Sequence, residues 1–373
     1  MKKVLLCAAA LCLVAAAAAA AEPIRIGLMA PVTGPWASEG QEMKQVVDLL
    51  ARDLNAKGGL LGRGVEVLAE DDGGDPRTAA LAAQKLITRG VIAVIGTYGS
   101  SVTEASQSIY NESRVIQVAN GSTAVRLTEK GLRYFFRTCP RDDEQGRVAV
   151  QTIQKMKYRK VAILHDNTTF AKGLAGEARG LLKKAGIPIV FYDALTPGER
   201  DYTAILTKMK GAGPDVVFFT GYYPEAGLLL RQKKERNWHV PFLGGDATNN
   251  PDIVKIAGKG AAQGFMFLSA PLPRDLPSKQ AKAFLSSFSR TYGRPPNSIY
   301  SVLAGDGFRV VTEAIRTTGT TDAERIANYL HSRKFRDRNG LTGSISFNGK
   351  GDRVGEVYRA YKVDAQGRFI LQK

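Results

Sequence analysis

Short apolar runs alternate with helix-forming stretches through most of this 373-residue chain, and no other feature constrains its fold as much. IRIGLMAP (24–31) precedes a helical stretch from Gln41 to Ala56, then VEVLAEDD (65–72). PRTAALAAQKLITRG (76–90) carries its proline at the start, where a helix tolerates it. VIAVIGT (91–97) and VIQVAN (115–120) flank a helix predicted to open near Val102. After a break at Thr138-Cys139-Pro140 the rhythm restarts with KVAILHD (160–166), IPIVFYD (187–193), PDVVFFTG (214–221) and VPFLGGD (240–246). Such alternation predicts parallel sheets covered by helices on both faces, an α/β fold. Two blocks predict two similar domains, and the lack of a low-complexity tether predicts hinge strands between them. From about Ser269 three helical segments (278–292, 301–317 and 322–331) follow one another without a strand. GSISFNG (343–349) and EVYRAYKV (356–363) then alternate like antiparallel strands.

The N-terminus stands apart. Met1-Lys2-Lys3, the apolar VLLCAAALCLVAAAAA and the Ala19-Ala20-Ala21 end have the form of a cleaved secretory signal, residues 1–21. The run is alanine-rich and short for a membrane span, and no later segment is apolar enough to be one. Cys7 and Cys12 fall inside it, so Cys139 alone remains in the exported chain and no internal disulfide is expected. Cys139 itself reads as a small buried side chain. The formal charge is +17, of which Lys2 and Lys3 supply two. The basic clusters KMKYRK (155–160), RQKKER (231–236) and RKFRDR (333–338) are scattered on helical patterns with few aromatics. That is a solvated surface rather than a nucleic-acid patch.

Catalytic and metal chemistry lacks its parts. His165, His239 and His331 have no cysteine or i, i+4 histidine partners. Gly99-Ser100-Ser101 is not a G-x-S-x-G elbow, no P-loop occurs, and Gly258-Lys259-Gly260 with Gly264 misses the dinucleotide spacing. An enzyme is therefore not expected, and no cofactor is called for. Open α/β sheets bind ligands beyond the carboxyl ends of their strands. Those ends carry Thr33 to Trp36, Thr97 to Ser101, Asn120 to Thr123, Asp166 to Phe170, Gly221 to Tyr223, and Gly245-Asp246. One half offers hydroxyls and glycine amides; the other offers aromatic rings and a carboxylate. A ligand with an anionic end, a cationic end and an apolar body matches that division.

The order IRIGLMAPVTGPWASEG, DLNAKGGLLGR, EDDGGDP, VIGTYGSS, HDNTTFAKGLA, GYYPEAGLLLRQ, FLGGDA and GDRVGE resembles the type I periplasmic binding proteins of branched-chain amino-acid ABC transporters, in particular the leucine/isoleucine/valine-binding proteins. The resemblance implies two Rossmann-like lobes joined by three hinge crossings. Lobe 1 would comprise 22–140 plus 269–345, and lobe 2 141–268 plus 346–373. It implies an exported, monomeric periplasmic protein that captures a small molecule and delivers it to an inner-membrane ABC permease. A sensory module serving a receptor would use the same fold. Carried over by position, Ser100, Thr123 and backbone amides near Ser100, Gly121, Ser122 and Thr123 would hold the ligand carboxylate. Asp246 would meet its ammonium group, Tyr222 would close over it, and Phe170 stands where the relatives have tyrosine.

Two departures bear on the ligand. Gly74 and Gly99 occupy the places of a cysteine pair that forms a disulfide in the leucine-type relatives, which leaves the turn after VIGT to packing alone. Glu39 stands where those relatives have an aromatic residue beside the ligand side chain. A cleft-facing, unpaired Glu39 would penalise leucine or valine and favour a polar or basic side chain. A solvent-facing Glu39 would leave Trp36 as an apolar wall for an aliphatic or aromatic amino acid. Other small carboxylates remain a third class of ligand.

Overall fold

The computed structural model describes residues 22–355 and 358–372. The expected leader, residues 1–21, lies outside them. The first half runs β1 (Ile24–Ala30), α1 (Ala37–Asn55), β2 (Val65–Asp71), α2 (Pro76–Thr88), β3 (Ala93–Ile95), α3 (Ser100–Glu112), β4 (Ile116–Ala119), α4 (Arg126–Glu129) and β5 (Phe135–Arg137). The second runs α5 (Asp142–Lys155), β6 (Val161–His165), α6 (Thr169–Lys184), β7 (Ile189–Ala194), α7 (Thr203–Gly211), β8 (Val216–Thr220), α8 (Tyr223–Glu235), β9 (Phe242–Gly244), α9 (Asp252–Ala257), α10 (Lys259–Ala262) and β10 (Met266–Ser269). Helices α11 (Lys279–Tyr292), α12 (Ile299–Thr318) and α13 (Ala323–His331) follow, then β11 (Arg359–Val363) and β12 (Phe369–Leu371).

Two sheets result. The first has order β2-β1-β3-β4-β5 and is wholly parallel. The second has order β12-β11-β10-β9-β8-β6-β7, parallel from β7 to β10, with β11 and β12 added antiparallel at one edge. The five parallel strands of each sheet therefore repeat one arrangement. Strands β3, β4, β6 and β8 are buried along their whole length, as central strands under helices on both faces must be. The edge strands β2 and β7 are mixed in burial. Among the described residues no helix is long and apolar enough to cross a membrane.

The chain passes from the first sheet to the second after β5 and returns after β10, because α12 packs on α1, β3 and β4. Gly305 and Gly307 permit that contact: a Cβ at Gly305 would lie 2.8 Å from Val46 and one at Gly307 3.2 Å from Ile95. The last return follows Arg353, since Asp352 still bridges Arg137 at the edge of the first sheet, whereas β11 pairs with β10. Residues 346–353 thus lie with the first sheet, past the boundary expected at 345.

The strands and helices read from the sequence are present, with three differences. Helix α1 begins at Ala37 rather than Gln41, because Gly40 lets the first turn settle on Pro31, whose carbonyl oxygen would be 2.2 Å from a Cβ there. Stretch 343–349 forms only single antiparallel bridges, Asp337–Ile345 and Phe347–Arg353, since the turn at 348–351 follows directly. Of 356–363, Arg359 onward is strand. The short strands β5, β10 and β12 were not anticipated.

Candidate functional site

In a parallel sheet whose strand order reverses between its first and third strands, the loops leaving those two strands diverge and open a crevice. In the first sheet the crevice lies between the loop after β1, which carries Trp36, and the turn after β3, which leads into Ser100. In the second it lies between the loop after β6, leading to Phe170, and the turn after β8, which carries Tyr222. The two crevices face each other. Trp36 and Tyr222 stack across them at 4.0 Å between ring centroids.

The first half supplies neutral donors. Ser100 is in the first turn of α3, and its hydroxyl accepts the Ala124 amide at 3.2 Å, which leaves its own proton to donate. Thr123 is buried, and its hydroxyl has no partner within the chain. Gly121 is required by a close approach: a Cβ would stand 2.8 Å from both the ring and the carbonyl oxygen of Tyr98. Ser122 serves the loop itself, its hydroxyl bonding Thr97 O at 3.1 Å and Thr103 Oγ1 at 2.7 Å. The loop has a further support that sequence reasoning missed. Buried Arg137 donates to the carbonyls of Ser122 (3.1 Å) and Ala124 (2.9 Å), to Thr128 Oγ1 (2.7 Å) and to Asp352 (2.7 Å). Thr123 is thus clamped from both sides by one guanidinium.

The second half supplies acceptors. Asp246 follows β9 in a single helical turn and is 3% exposed. Its amide donates to Gln145 Oε1 at 2.7 Å, and its Oδ2 accepts from Tyr358 at 3.2 Å, whereas Oδ1 has no partner in the chain. Burial pushes its carboxyl up to about 6, against the opposing influence of the polar groups around it, Tyr358 among them. Asp142, first in α5, is also buried, accepts from Gln145 Nε2 at 3.3 Å and leaves Oδ2 without a partner. Burial and then the charge of Asp246 hold it well above the usual carboxylate range. Two buried carboxyls with open lone pairs call for a cation. Asp142 was missed because its place in a run of acidic residues, Asp142-Asp143-Glu144, looks like ordinary helix-start chemistry.

Aromatic rings enclose the space between donors and acceptors. Tyr222 also meets Tyr98 (5.7 Å) and Phe170 (5.5 Å), and Tyr98 meets Trp36 (5.6 Å) and Tyr300 (5.0 Å). Both expectations for Glu39 are corrected. It is fully buried, so it does not face solvent, and it is not unpaired, because Asn250 donates to Oε1 at 2.7 Å and Ser298 donates to Oε2. Burial pushes its carboxyl up to about 8. Gly74 and Gly99 are also explained. A Cβ at either would lie 2.8 Å from the Trp36 indole, so this ring fills the space that a cysteine pair would need.

Contacts across the halves place the protein in a closed conformation. Tyr223 donates to Pro35 O at 2.8 Å and lies 3.1 Å from Ser38 Oγ, and the Thr169 amide donates to Ser101 Oγ at 3.0 Å. Burial pushes the Cys139 thiol up to about 12, so it is no thiolate nucleophile at neutral pH. No cluster of metal-ligating side chains occurs among the described residues.

A profile of the periplasmic binding protein family matches residues 23–368. The chain belongs to the periplasmic binding protein family. Its similarity to curated proteins is end to end. The Leu/Ile/Val-binding protein homolog 2 of Brucella abortus is 35% identical over 355 residues, covering 94% of each chain. A leucine-, isoleucine-, valine-, threonine- and alanine-binding protein of Pseudomonas aeruginosa is 33% identical over 350 residues, 93% of this chain and 92% of its own. Among solved structures, the branched-chain amino acid transporter substrate-binding protein LivJ of Streptococcus pneumoniae, in complex with isoleucine, superposes with a TM-score of 0.84 at 30% identity, covering 94% of this chain and 99% of that one. A periplasmic binding protein of this kind binds rather than catalyses, and the doubly wound, two-sheet fold agrees with the resemblance read from the sequence.

Proposed function

We propose that this protein is exported through residues 1–21 and captures an amino acid between its halves in the periplasm. It then presents the closed, loaded form to an inner-membrane ABC permease. The observation that carries the reading is the opposition of Thr123 and Ser100 on one half to the open carboxylate oxygen of Asp246 on the other. Neutral donors suit the ligand's α-carboxylate, and a buried carboxylate suits its ammonium group. Trp36 of one half meets Tyr222 of the other only on closure, so a ligand that bridges the halves shifts the equilibrium toward the closed state. A relative named for binding five amino acids and one solved in complex with isoleucine support the ligand class.

A thermal-shift screen against all amino acids and small carboxylates, with mass spectrometry of co-purified ligand, tests this. An amino acid should raise Tm and be recovered unchanged from the denatured protein, and Asp246→Ala should abolish the shift. A carboxylate lacking an ammonium group that binds as tightly as any amino acid would sink the reading.

A further inference from the structure

Beyond the two anchors, one of the aromatic rings around the site carries a buried polar group that is left open. Tyr98 is 2% exposed, and its hydroxyl has no hydrogen-bond partner within the chain. The ring is locked on three sides by Trp36, Tyr222 and Tyr300 and from below by Gly121, so the hydroxyl cannot swing to solvent. Burial and then the nearby Glu39 keep this phenol protonated, so it offers both a donor and an acceptor. Glu39 is fixed behind it by Asn250 and Ser298, and Ser298 also caps α12 through the Tyr300 amide at 3.0 Å. On the opposite side Trp36 lies against Gly74 and Gly99 and stacks on Tyr222, which narrows the space.

Resting on the amino-acid reading of the anchors, we propose that the Tyr98 hydroxyl recognises the ligand's side chain, and that the ligand is a small α-amino acid bearing a hydroxyl or amide group rather than a branched aliphatic one. A hydroxyl within reach of Tyr98 satisfies the buried phenol in either direction. A methyl group in the same place leaves the buried phenol hydroxyl dry and unpaired. Trp36 sets the length limit, and Tyr98 sets the polarity.

Threonine and valine decide the question, because they differ by one hydroxyl in place of one methyl. Isothermal titration of the wild-type protein should give threonine an affinity at least about tenfold above valine, with serine above alanine in the same direction. Tyr98→Phe should shrink the threonine-to-valine ratio to about threefold or less, with its Tm confirming that it folds. Valine binding as tightly as threonine to the wild type overturns the proposal and leaves the amino-acid reading standing, and this arm needs no variant. A ratio unchanged in Tyr98→Phe also overturns it. If no amino acid binds at all, the anchor reading fails, and the proposal fails with it.

Discussion

Trp36 and Tyr222 stack with their ring centroids 4.0 Å apart and their planes inclined by 28°, one ring from the loop after β1 and the other from the turn after β8. Each ring belongs to a different sheet, so the pair exists only in the closed conformation. Stacked aromatic pairs contribute about 0.5–1.5 kcal/mol beyond the area they bury. Tyr222→Ala should therefore weaken the affinity of whichever amino acid binds by at least about two- to tenfold. Because the stack joins the halves rather than either core, the Tm of the ligand-free protein should fall little. Titration calorimetry beside a melting curve separates the two, and an unchanged Kd would contradict a closing role for Tyr222.

The alternation of apolar runs made the two parallel sheets legible, since central strands such as VAILH and VVFFT are buried on both faces and carry a polar residue only at their last position. Ser100, Thr123, Tyr222 and Asp246 were legible as strand-end residues for the same topological reason. What stayed hidden depends on contacts distant in the chain. Arg137 bonds Asp352 across 215 positions, and nothing local distinguishes it from a surface arginine. Glu39 is held by Asn250 and Ser298, more than two hundred positions away, so its orientation could not be read from TGPWASEG. Strands of three residues such as β5 are too short to show a period.

On the proposed role of Asp246, ligand binding should be sensitive to acid. Its carboxyl is raised to about 6 by burial, and only the ionised form pairs with an ammonium group. Above about pH 7 the carboxylate is ready, whereas below about 6 a proton must leave before the ligand binds. Affinity should therefore fall by up to about tenfold per pH unit below that point, seen as a rising Kd in titrations from pH 8 to pH 5. Asp246→Asn should bind weakly and lose this acid limb. A variant that keeps the limb would assign it to another group, with Asp142 first in line.

The packing of Trp36 against Gly99 is testable as a coupling energy. Gly99→Ala places a methyl 2.8 Å from a ring that cannot move aside, and overpacking of this kind costs about 1–3 kcal/mol. In a Trp36→Val background the same change should be nearly neutral, because the obstructing ring is gone. Urea unfolding of the four proteins measures the difference. Additive effects would mean that the indole does not occupy this space in solution.

Arg137 should matter to both stability and binding. Its guanidinium is wholly buried, with Asp352 and three oxygen acceptors around the loop that presents Thr123. Asp352→Asn leaves that charge without its carboxylate, a change that costs about 3–5 kcal/mol in buried pairs. Urea unfolding should show a loss of that order, and ligand affinity should drop as the loop around Thr123 loosens. Arg141, which also reaches Asp352 at 2.8 Å, would lose its partner as well, so a loss below about 1 kcal/mol would contradict a clamping role for this ion pair.

Glu39 links stability to alkaline pH. Its carboxyl is raised from the ordinary value of 4.5 to about 8, chiefly by burial, with Glu42 and Asp252 adding to the rise and Ser298 and Asn250 opposing it. The folded protein thus holds this proton more tightly than the unfolded chain does. The resulting stability is fully present below about pH 4.5 and declines as pH rises toward 8, where the buried group must ionise. Glu39→Gln keeps the size and an oxygen to accept from Asn250, and removes the charge. Its Tm should match the wild type near pH 5 and exceed it near pH 8.5, by a stability difference on the order of a few kcal/mol. A wild-type advantage at pH 8.5 would mean that Glu39 is ionised and favourably paired in the folded protein, contrary to its burial.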